Sequence, residues 1–202
     1  VRALITGIGG FVGRHLTTVC TQSGDDVFGL DLIDPEPGVT GALTVYPADI
    51  TEGKMVETVV ADVRPEVIYH LAGSASVGAS FADPLATWRA NTFGTLAVLD
   101  AARRHAPGAR IVVVTSAEVY GIVPVALLPV TELTPIQPNS PYGASKAAAE
   151  IAARQYRDVY GLDVTIVRPF NHIGPGQDPR FVVPSIAQQI AQAEASGTPR
   201  VE

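Results

Sequence analysis

Thr6-Gly7-Ile8-Gly9-Gly10-Phe11-Val12-Gly13 lies between two hydrophobic patterns of different period. Before it, Arg2 to Thr6 is an apolar run of strand length. After it, Phe11, Val12, Leu16, Val19 and Cys20 recur at helical spacing up to Gly24. The glycines at 7, 10 and 13 therefore occupy a strand-to-helix turn. Gly7 suits a tight turn, Gly10 lets the backbone approach a pyrophosphate, and Gly13 lets the helix pack closely on the strand. The helix start, which includes Phe11 and Val12, adds unpaired N–H groups and the positive end of a helix dipole. A dinucleotide is the ligand this turn predicts.

The alternation continues outward from this turn. Strands are predicted near Val27 to Leu30 and Leu43 to Tyr46, a helix over Thr51 to Val63, and a strand over Val67 to Leu71. Asp83-Pro84 is a helix start, with a capping acid and a proline at the first helical position, and the helix runs to about His105. The β-branched run Ile111 to Thr115 predicts a strand buried on both faces, at the middle of the sheet. A Pro-rich loop from Gly121 to Ser140 precedes a helix over Pro141 to Tyr160, a strand over Val164 to Val167 and a helix over Pro184 to Ser196. Pro124 and Pro129 exclude a regular helix or central strand from Ile122 to Val130, leaving a lid, an oligomer contact or loop packing. Strands alternating with helices need parallel pairing, so the fold class is α/β, a Rossmann-like doubly wound parallel sheet.

Asp31 falls 18 residues after Gly13, at the end of the second strand. A carboxylate there accepts hydrogen bonds from an adenosine ribose and repels a 2′-phosphate, which favours NAD and leaves NADP possible. The bland alternative is an exposed acid in a turn with Asp34 and Pro35. Asp49-Ile50, past the third strand, offers a carboxylate and an apolar wall to an adenine, or else simply caps a helix. Tyr142 and Lys146 are four residues apart on one helix, so a phenol and an ammonium share a face. A fixed cation favours the phenolate and brings proton transfer closer to neutral pH. Alone, such a pair is ordinary helix surface. Ser116 gives it weight, because it follows a strand at the carboxyl edge of the sheet, where its hydroxyl can share a substrate oxygen with Tyr142. His70, at a strand end on the same side, is expected to make a structural hydrogen bond. Cys20 and His15 are read as packing and surface residues.

Composition narrows the partners. Among 202 residues, 47% are hydrophobic, and 20 acidic against 14 basic side chains give a formal charge of −6. The basic residues are scattered apart from Arg103-Arg104, so no stripe follows a nucleic-acid backbone. One cysteine excludes an internal disulfide, and the four histidines lack metal-ligand spacing, so no metal site is expected and a reducing cytoplasm fits. No apolar run approaches the ~18 residues of a membrane span. The chain starts at Val1 rather than Met, and Thr198 to Glu202 reads like a linker entering another strand, so the chain is expected to be a fragment.

Together these residues resemble the extended short-chain dehydrogenase/reductase family of sugar-nucleotide epimerases, dehydratases and reductases. The likeness rests on the 7/10/13 glycines, His70-Leu71-Ala72-Gly73, Asn91, Thr115 to Gly121, Tyr142-x-x-x-Lys146 and Arg168-Pro169-Phe170-Asn171. It implies a catalytic set of Ser116, Tyr142 and Lys146, with Leu71, Ala72, Gly73 and Asn91 joining the cofactor site. It also implies Asn171 near the sugar or diphosphate and Phe181-Val182 along the nucleotide. The stretch Phe170 to Gln177 looks most like GDP-6-deoxy-4-keto-D-mannose reductases, with His172 beside the substrate or one layer behind it. A 4,6-dehydratase would need further acid/base groups; Glu118 is one candidate, but Ala117 stands where some dehydratases carry an acid. A 4-epimerase and a non-catalytic dinucleotide sensor are the remaining alternatives. The resemblance implies an NAD(P)-binding portion over 1–170, the start of a truncated C-terminal substrate-binding portion over 171–202, a nucleotide-sugar substrate and a homodimer built from helices 84–105 and 142–160.

Overall fold

The computed structural model describes residues 1–32, 41–42 and 44–197. Asp34, Pro35, Leu43 and residues 198–202, read above, lie outside the described residues. Six strands, β1 (Arg2–Thr6), β2 (Asp26–Asp31), β3 (Thr44–Pro47), β4 (Val67–His70), β5 (Arg110–Val114) and β6 (Asp163–Val167), pair in parallel in the order β3-β2-β1-β4-β5-β6. Parallel neighbours need crossovers, which α1 (Phe11–Gln22), α2 (Gly53–Val63), α5 (Gly94–His105) and α6 (Pro141–Tyr160) supply. The chain winds from β1 out to β3 and then returns to β4 beside β1. The carboxyl ends of β1 and β4 therefore form the switch point, where sheets of this kind bind ligands.

Side chains alternate between the two faces. Leu4, Leu30, Ile68, Ile111, Val113 and Val164 meet α2, α5 and α6 on one face, and Ile5 and Val27 meet Ile8 and Cys20 on the other. Each such burial contributes about 1.5–3 kcal/mol. Cys20 packs as expected, and burial raises its thiol pKa. The expectation that β5 marks the middle of the sheet is corrected, since the central pair is β1 and β4. Ile111 and Val113 are buried while Val112 and Val114 are half-buried, so the β-branched run reports coverage rather than position in the strand order.

The single helix expected from 84 to 105 is also corrected. It consists of α4 (Pro84–Trp88), a π-helical turn (Arg89–Phe93) and α5, preceded by an unforeseen short helix α3 (Val77–Ala82). Asp83 does cap α4, accepting the Ala86 N–H at 2.9 Å. Ser140 likewise caps α6 through the Gly143 N–H at 3.0 Å, and Gly161, at φ 71°, ends it. Between β5 and α6 the chain forms two short 3₁₀ turns (Ala117–Tyr120 and Val125–Leu127) and otherwise loop. Helix α7 (Val182–Ser196) begins two residues before the expected Pro184, a position the first helical turn tolerates. The chain divides into two compact units, Val1–Phe170 and Asn171–Glu202.

The turn after β1 depends on the absence of two side chains. Gly7 has φ 73°, and a Cβ there would stand 2.9 Å from the Ala72 nitrogen. A Cβ on Gly13 would stand 2.5 Å from the Ile8 carbonyl oxygen and closer still to that of Gly7. Both obstacles at Gly13 are backbone. Gly13→Ala should therefore lower the unfolding free energy by about 1–3 kcal/mol, seen as a lower urea midpoint with an unchanged slope.

Candidate functional site

At the switch point the glycine turn is held by three hydrogen bonds. The Gly7 N–H donates to the Leu30 carbonyl at 2.7 Å, the Gly10 N–H to the Gly7 carbonyl at 3.1 Å, and the Gly9 N–H to Asp31 Oδ2 at 2.8 Å. Asp31 Oδ1 accepts the Leu32 N–H at 2.8 Å, so the carboxylate sits at the tip of β2 in a fixed orientation over the turn. No side chain caps α1, and its first turn carries no acid. The first N–H groups of the helix are thus left uncapped by side chains, which fits a diphosphate. A Cβ on Gly10 would meet the Gly7 carbonyl oxygen at 3.2 Å; the bare backbone leaves that approach open. Phe11 is half-buried and edge-on to His15, Val12 is exposed, and Gly13 is buried.

Leu71 and Ala72 are half-buried after β4, and Gly73, exposed, follows at φ 148°. Ile50 is buried against Gly94, where a Cβ would come within 2.9 Å of Ile50 Cγ2. Asp49 is exposed and its Oδ1 accepts the Thr51 N–H at 2.8 Å in the turn before α2, whose N-cap residue, Glu52, makes no side-chain capping bond.

The three residues expected to do chemistry converge at the carboxyl end of β5. Ser116 is buried and starts the first 3₁₀ turn, its Oγ accepting the Glu118 N–H at 3.1 Å. Tyr142 is buried in the first turn of α6, with Ser116 near enough to act on its ionisation. Burial raises the phenol pKa, the nearby Ser116 opposes the rise, and the Glu118 carboxylate adds to it. The expected lowering by Lys146 is not seen. The Lys146 ammonium, only 8% exposed, instead donates to the Val114 carbonyl at 3.0 Å, and burial brings its pKa down to about 8. Asn91 lies buried on the π turn, where its Nδ2 donates to Ser145 Oγ at 2.9 Å. Thr92 Oγ1 donates to the Ser145 carbonyl at 3.0 Å, and Ser145 Oγ to the Tyr142 carbonyl at 2.7 Å. The π turn therefore docks on α6 between Tyr142 and Lys146.

Asn171, His172, Phe181 and Val182 belong to the second unit, where all four are exposed. Within it, the Gln177 amide donates to the His172 carbonyl at 3.4 Å and Phe181 caps α7, accepting the Ser185 N–H at 3.0 Å. Among the described residues, no group of three His, Cys, Asp or Glu side chains is placed to hold a metal ion.

Sequence reasoning missed Glu150. This fully buried residue of α6 takes Arg168 Nε on Oε2 at 2.8 Å and both Arg168 Nη2 and Arg154 Nη2 on Oε1, the latter at 2.7 Å. Arg168 also donates to the Tyr120 hydroxyl at 2.7 Å and to the Glu132 carbonyl at 3.2 Å, and Tyr120 stacks on Phe170. Burial works to raise the Glu150 pKa, but the hydrogen bonds from Arg168 and Arg154 outweigh it and hold the carboxyl below its usual range. The i,i+4 spacing of Glu150 and Arg154 was a readable signal. The partner across the fold was not.

Comparison with known proteins places this geometry in a family. Residues 4–202 match the family model described as GDP-mannose 4,6 dehydratase. The chain is similar to GDP-6-deoxy-D-mannose reductase of Pseudomonas aeruginosa, with 35% identity over 95% of the chain and 59% of that protein. It is also similar to UDP-glucose 4-epimerase of Mycolicibacterium smegmatis, with 37% identity over 89% of the chain and 58% of that protein. Of solved structures, the dTDP-glucose 4,6-dehydratase DesIV of Streptomyces venezuelae, with NAD bound, superposes at TM-score 0.84 and 30% identity, covering 96% of the chain and 63% of DesIV. RMD of Pseudomonas aeruginosa, complexed with NADPH, gives 0.82 and 32%, covering 98% and 63%. The chain thus spans about three fifths of these relatives.

Glu150 generates a stability prediction. A carboxyl whose pKa is lowered by folding stabilises the protein above its unfolded value of ~4.3, and that stability disappears as pH falls through the folded value. Glu150→Gln leaves the Arg168 guanidinium buried beside a neutral amide, so at pH 7 the unfolding free energy should fall by about 3 kcal/mol. The variant's stability should also depend less on pH below about 5 than that of the parent, as measured by urea denaturation across pH.

Proposed function

Because this chain belongs to the GDP-mannose 4,6-dehydratase family of extended short-chain dehydrogenases/reductases, we propose that the protein is an NAD(P)-dependent enzyme that reduces a nucleotide-linked 4-keto-6-deoxy sugar. The observation that carries this reading is the meeting of Ser116, the Tyr142 phenol and the buried Lys146 ammonium at the carboxyl end of β5, on the same edge of the sheet as an uncapped glycine turn. That combination suits delivering a proton next to a bound dinucleotide. The similar reductase supports the sugar class and the dinucleotide-bound relatives support the cofactor, with NAD preferred and NADP the alternative.

In this reading the Gly7, Gly10 and Phe11-Val12-Gly13 backbone holds the diphosphate, and Asp31 accepts the adenosine ribose hydroxyls. Asp49 and Ile50 border the adenine. Leu71, Ala72, Gly73 and Asn91 line the path to the nicotinamide ribose, which Tyr142 and Lys146 hold. The cofactor, when bound, supplies the hydride. Tyr142 gives its proton to the C4 oxygen, and Ser116 donates a hydrogen bond to the same oxygen as its charge develops. Lys146, protonated at neutral pH, uses its ammonium to hold the ribose. Asn171, His172, Phe181 and Val182 contact the nucleotide sugar from the portion that begins at residue 171, while residues 1–170 serve the cofactor.

Exposed Phe81, Leu85, Phe93 and Ile151 lie on or beside the 84–105 and 142–160 helices, which supports a homodimer through that pair. Ala147, Ala149 and Ala153 are instead buried within the chain, so they serve its own packing. No helix among the described residues is long and apolar enough to cross a membrane, which is consistent with the proposed cytoplasmic location.

A second reading, sugar-nucleotide 4-epimerase or 4,6-dehydratase, is favoured by relatives of similar identity. Glu118, whose charge reaches Tyr142, would then serve as an extra acid/base. Ala117 supplies no carboxylate for it to work with.

The test is an assay of the full-length protein with GDP-4-keto-6-deoxymannose and with UDP- and dTDP-hexoses, with NADH or NADPH added and the sugar products analysed. Net oxidation of reduced cofactor with the GDP-keto sugar alone is expected, whereas conversion of a UDP- or dTDP-hexose without net oxidation would establish the second reading. Tyr142→Phe should cut kcat by about 10²–10⁴-fold while dinucleotide affinity stays within a few-fold, separating an enzyme from a non-catalytic dinucleotide sensor. Asp31→Asn should reduce the preference for NADH over NADPH by about tenfold, the worth of a hydrogen bond to a charged group. As pH rises through about 8, kcat/KM should decline, because Lys146 loses the proton that makes it useful.

A further inference from the structure

A buried polar chain crosses the first unit from the end of β1 to the tyrosine helix, and its centre is His70. Thr6, His70, Thr95, Asn91 and Ser145 are each at most 3% exposed. The direction of each hydrogen bond follows from counting protons. Thr95 Oγ1 donates its one proton to the Asn91 carbonyl at 2.6 Å. Toward His70 Nε2, 2.9 Å away, Thr95 can therefore only accept, so Nε2 carries a hydrogen. At the other end, Thr6 Oγ1 accepts the Ala72 N–H at 3.2 Å and lies 2.8 Å from His70 Nδ1. Nδ1 is the acceptor that lets the Thr6 hydroxyl spend its proton, so Nδ1 carries none. The direction runs unbroken: Ala72 N–H to Thr6, Thr6 O–H to His70, His70 N–H to Thr95, Thr95 O–H to the Asn91 carbonyl. From Asn91 the side-chain amide continues to Ser145, and Ser145 to the Tyr142 carbonyl.

We propose that His70 is a positioning residue, locked as the neutral Nε2–H tautomer, which fixes Asn91 on the π turn and, through Ser145, the Tyr142 backbone; its catalytic consequence rests on the role of Tyr142 proposed above. Two features separate this from ordinary core packing. The chain ends on the main-chain carbonyl of a residue inside a π turn, a local geometry that departs from the α-helix and is common at functional sites. The same chain starts at Thr6, directly before Gly7, and Ala72 abuts the place a Gly7 Cβ would take. One imidazole thus ties the dinucleotide turn to the proton donor. Charge on His70 would break the count, because Nδ1–H would turn Thr6 Oγ1 into its acceptor and leave the Thr6 hydroxyl hydrogen without its own. Burial and the nearby Lys146 ammonium both keep the ring neutral, with its pKa brought down to about 3.

The test uses the full-length protein with ¹⁵N-labelled histidine and ¹³Cζ-labelled tyrosine, together with dinucleotide binding and turnover. His70 should show a protonated Nε2 and an unprotonated Nδ1, without titration between about pH 5.5 and 9. Thr95→Val should displace the Tyr142 ¹³Cζ resonance and lower kcat about tenfold with dinucleotide Kd changed less than about threefold, and Thr95→Ser should restore both, as expected for an interaction worth ~1.4 kcal/mol. If Thr95→Val does not fold, Ser145→Ala removes the last two links, from Asn91 and to the Tyr142 carbonyl, and should produce the same Tyr142 displacement. An Nδ1–H tautomer, a His70 titration near ~6.5, or a folded Thr95→Val protein with the parent's Tyr142 resonance would overturn the proposal. The NMR readouts do not require turnover, so a protein inactive on every sugar nucleotide would overturn the functional reading alone.

Discussion

The distance between α1 and β1 is set by a methyl group that residue 13 lacks, and most of the site inherits its geometry from that approach. With no Cβ at Gly13, the first turn of α1 settles against the carbonyls of Gly7 and Ile8, and the helix's unpaired N–H groups come to lie over the strand end. Asp31 reaches Gly9 only because β2 ends level with the same turn. On the far side, Gly7 packs against the backbone of Ala72 and so brings in β4 and His70. Dispersion, hydrogen bonding and the helix dipole then act on groups already placed by contact between backbones.

Among the described residues, the buried charges of Glu150 and Lys146 serve different purposes. Glu150 is satisfied by two guanidinium groups, an arrangement that fastens α6 to the segment after β6 and, through Arg168, to the loop at Glu132. Lys146 is held by a peptide carbonyl rather than a carboxylate, and its lowered pKa records what that burial costs. A carboxylate beside Lys146 would stabilise the ammonium but compete with the cofactor's hydroxyls for its hydrogens. Leaving the lysine underpaired is consistent with the proposed chemistry, and the well-paired Glu150 one helical turn away supplies rigidity instead.

The sheet, its crossovers and the convergence of Ser116, Tyr142 and Lys146 were legible because they depend on local signals: period, glycine spacing, capping residues and the four-residue step along a helix. Asp83, Ser140 and Gly161 sit at the helix ends where their chemistry predicts. The order of the strands was less legible, and Ile111 to Thr115 misled because a β-branched run measures burial and not neighbours. The π turn was invisible, since Asn91 and Thr92 enter it to meet Ser145, a partner 54 and 53 residues away. Glu150 and Arg168 were hidden for the same reason. Tyr142 taught a related lesson: the sequence placed it beside a cation, but whether burial or that cation dominates its ionisation depends on the fold around it.

The π turn also divides one rod of helix into two that are out of phase. A regular helix advances about 100° per residue, so one additional residue in the turn at 89–93 rotates α4 by roughly that angle relative to a helix that had continued unbroken from α5. α5 presents Val98, Leu99, Ala101 and Ala102 to the sheet, while α4 packs on α6 and leaves Leu85 outward. Shortening the chain by a residue there would let the turn relax to an ordinary helix and swing Leu85 around the axis. The apolar outer surface and the seat of Asn91 are consequently geared together: sequence length in five residues sets both what this helix shows to the outside and what it offers to α6.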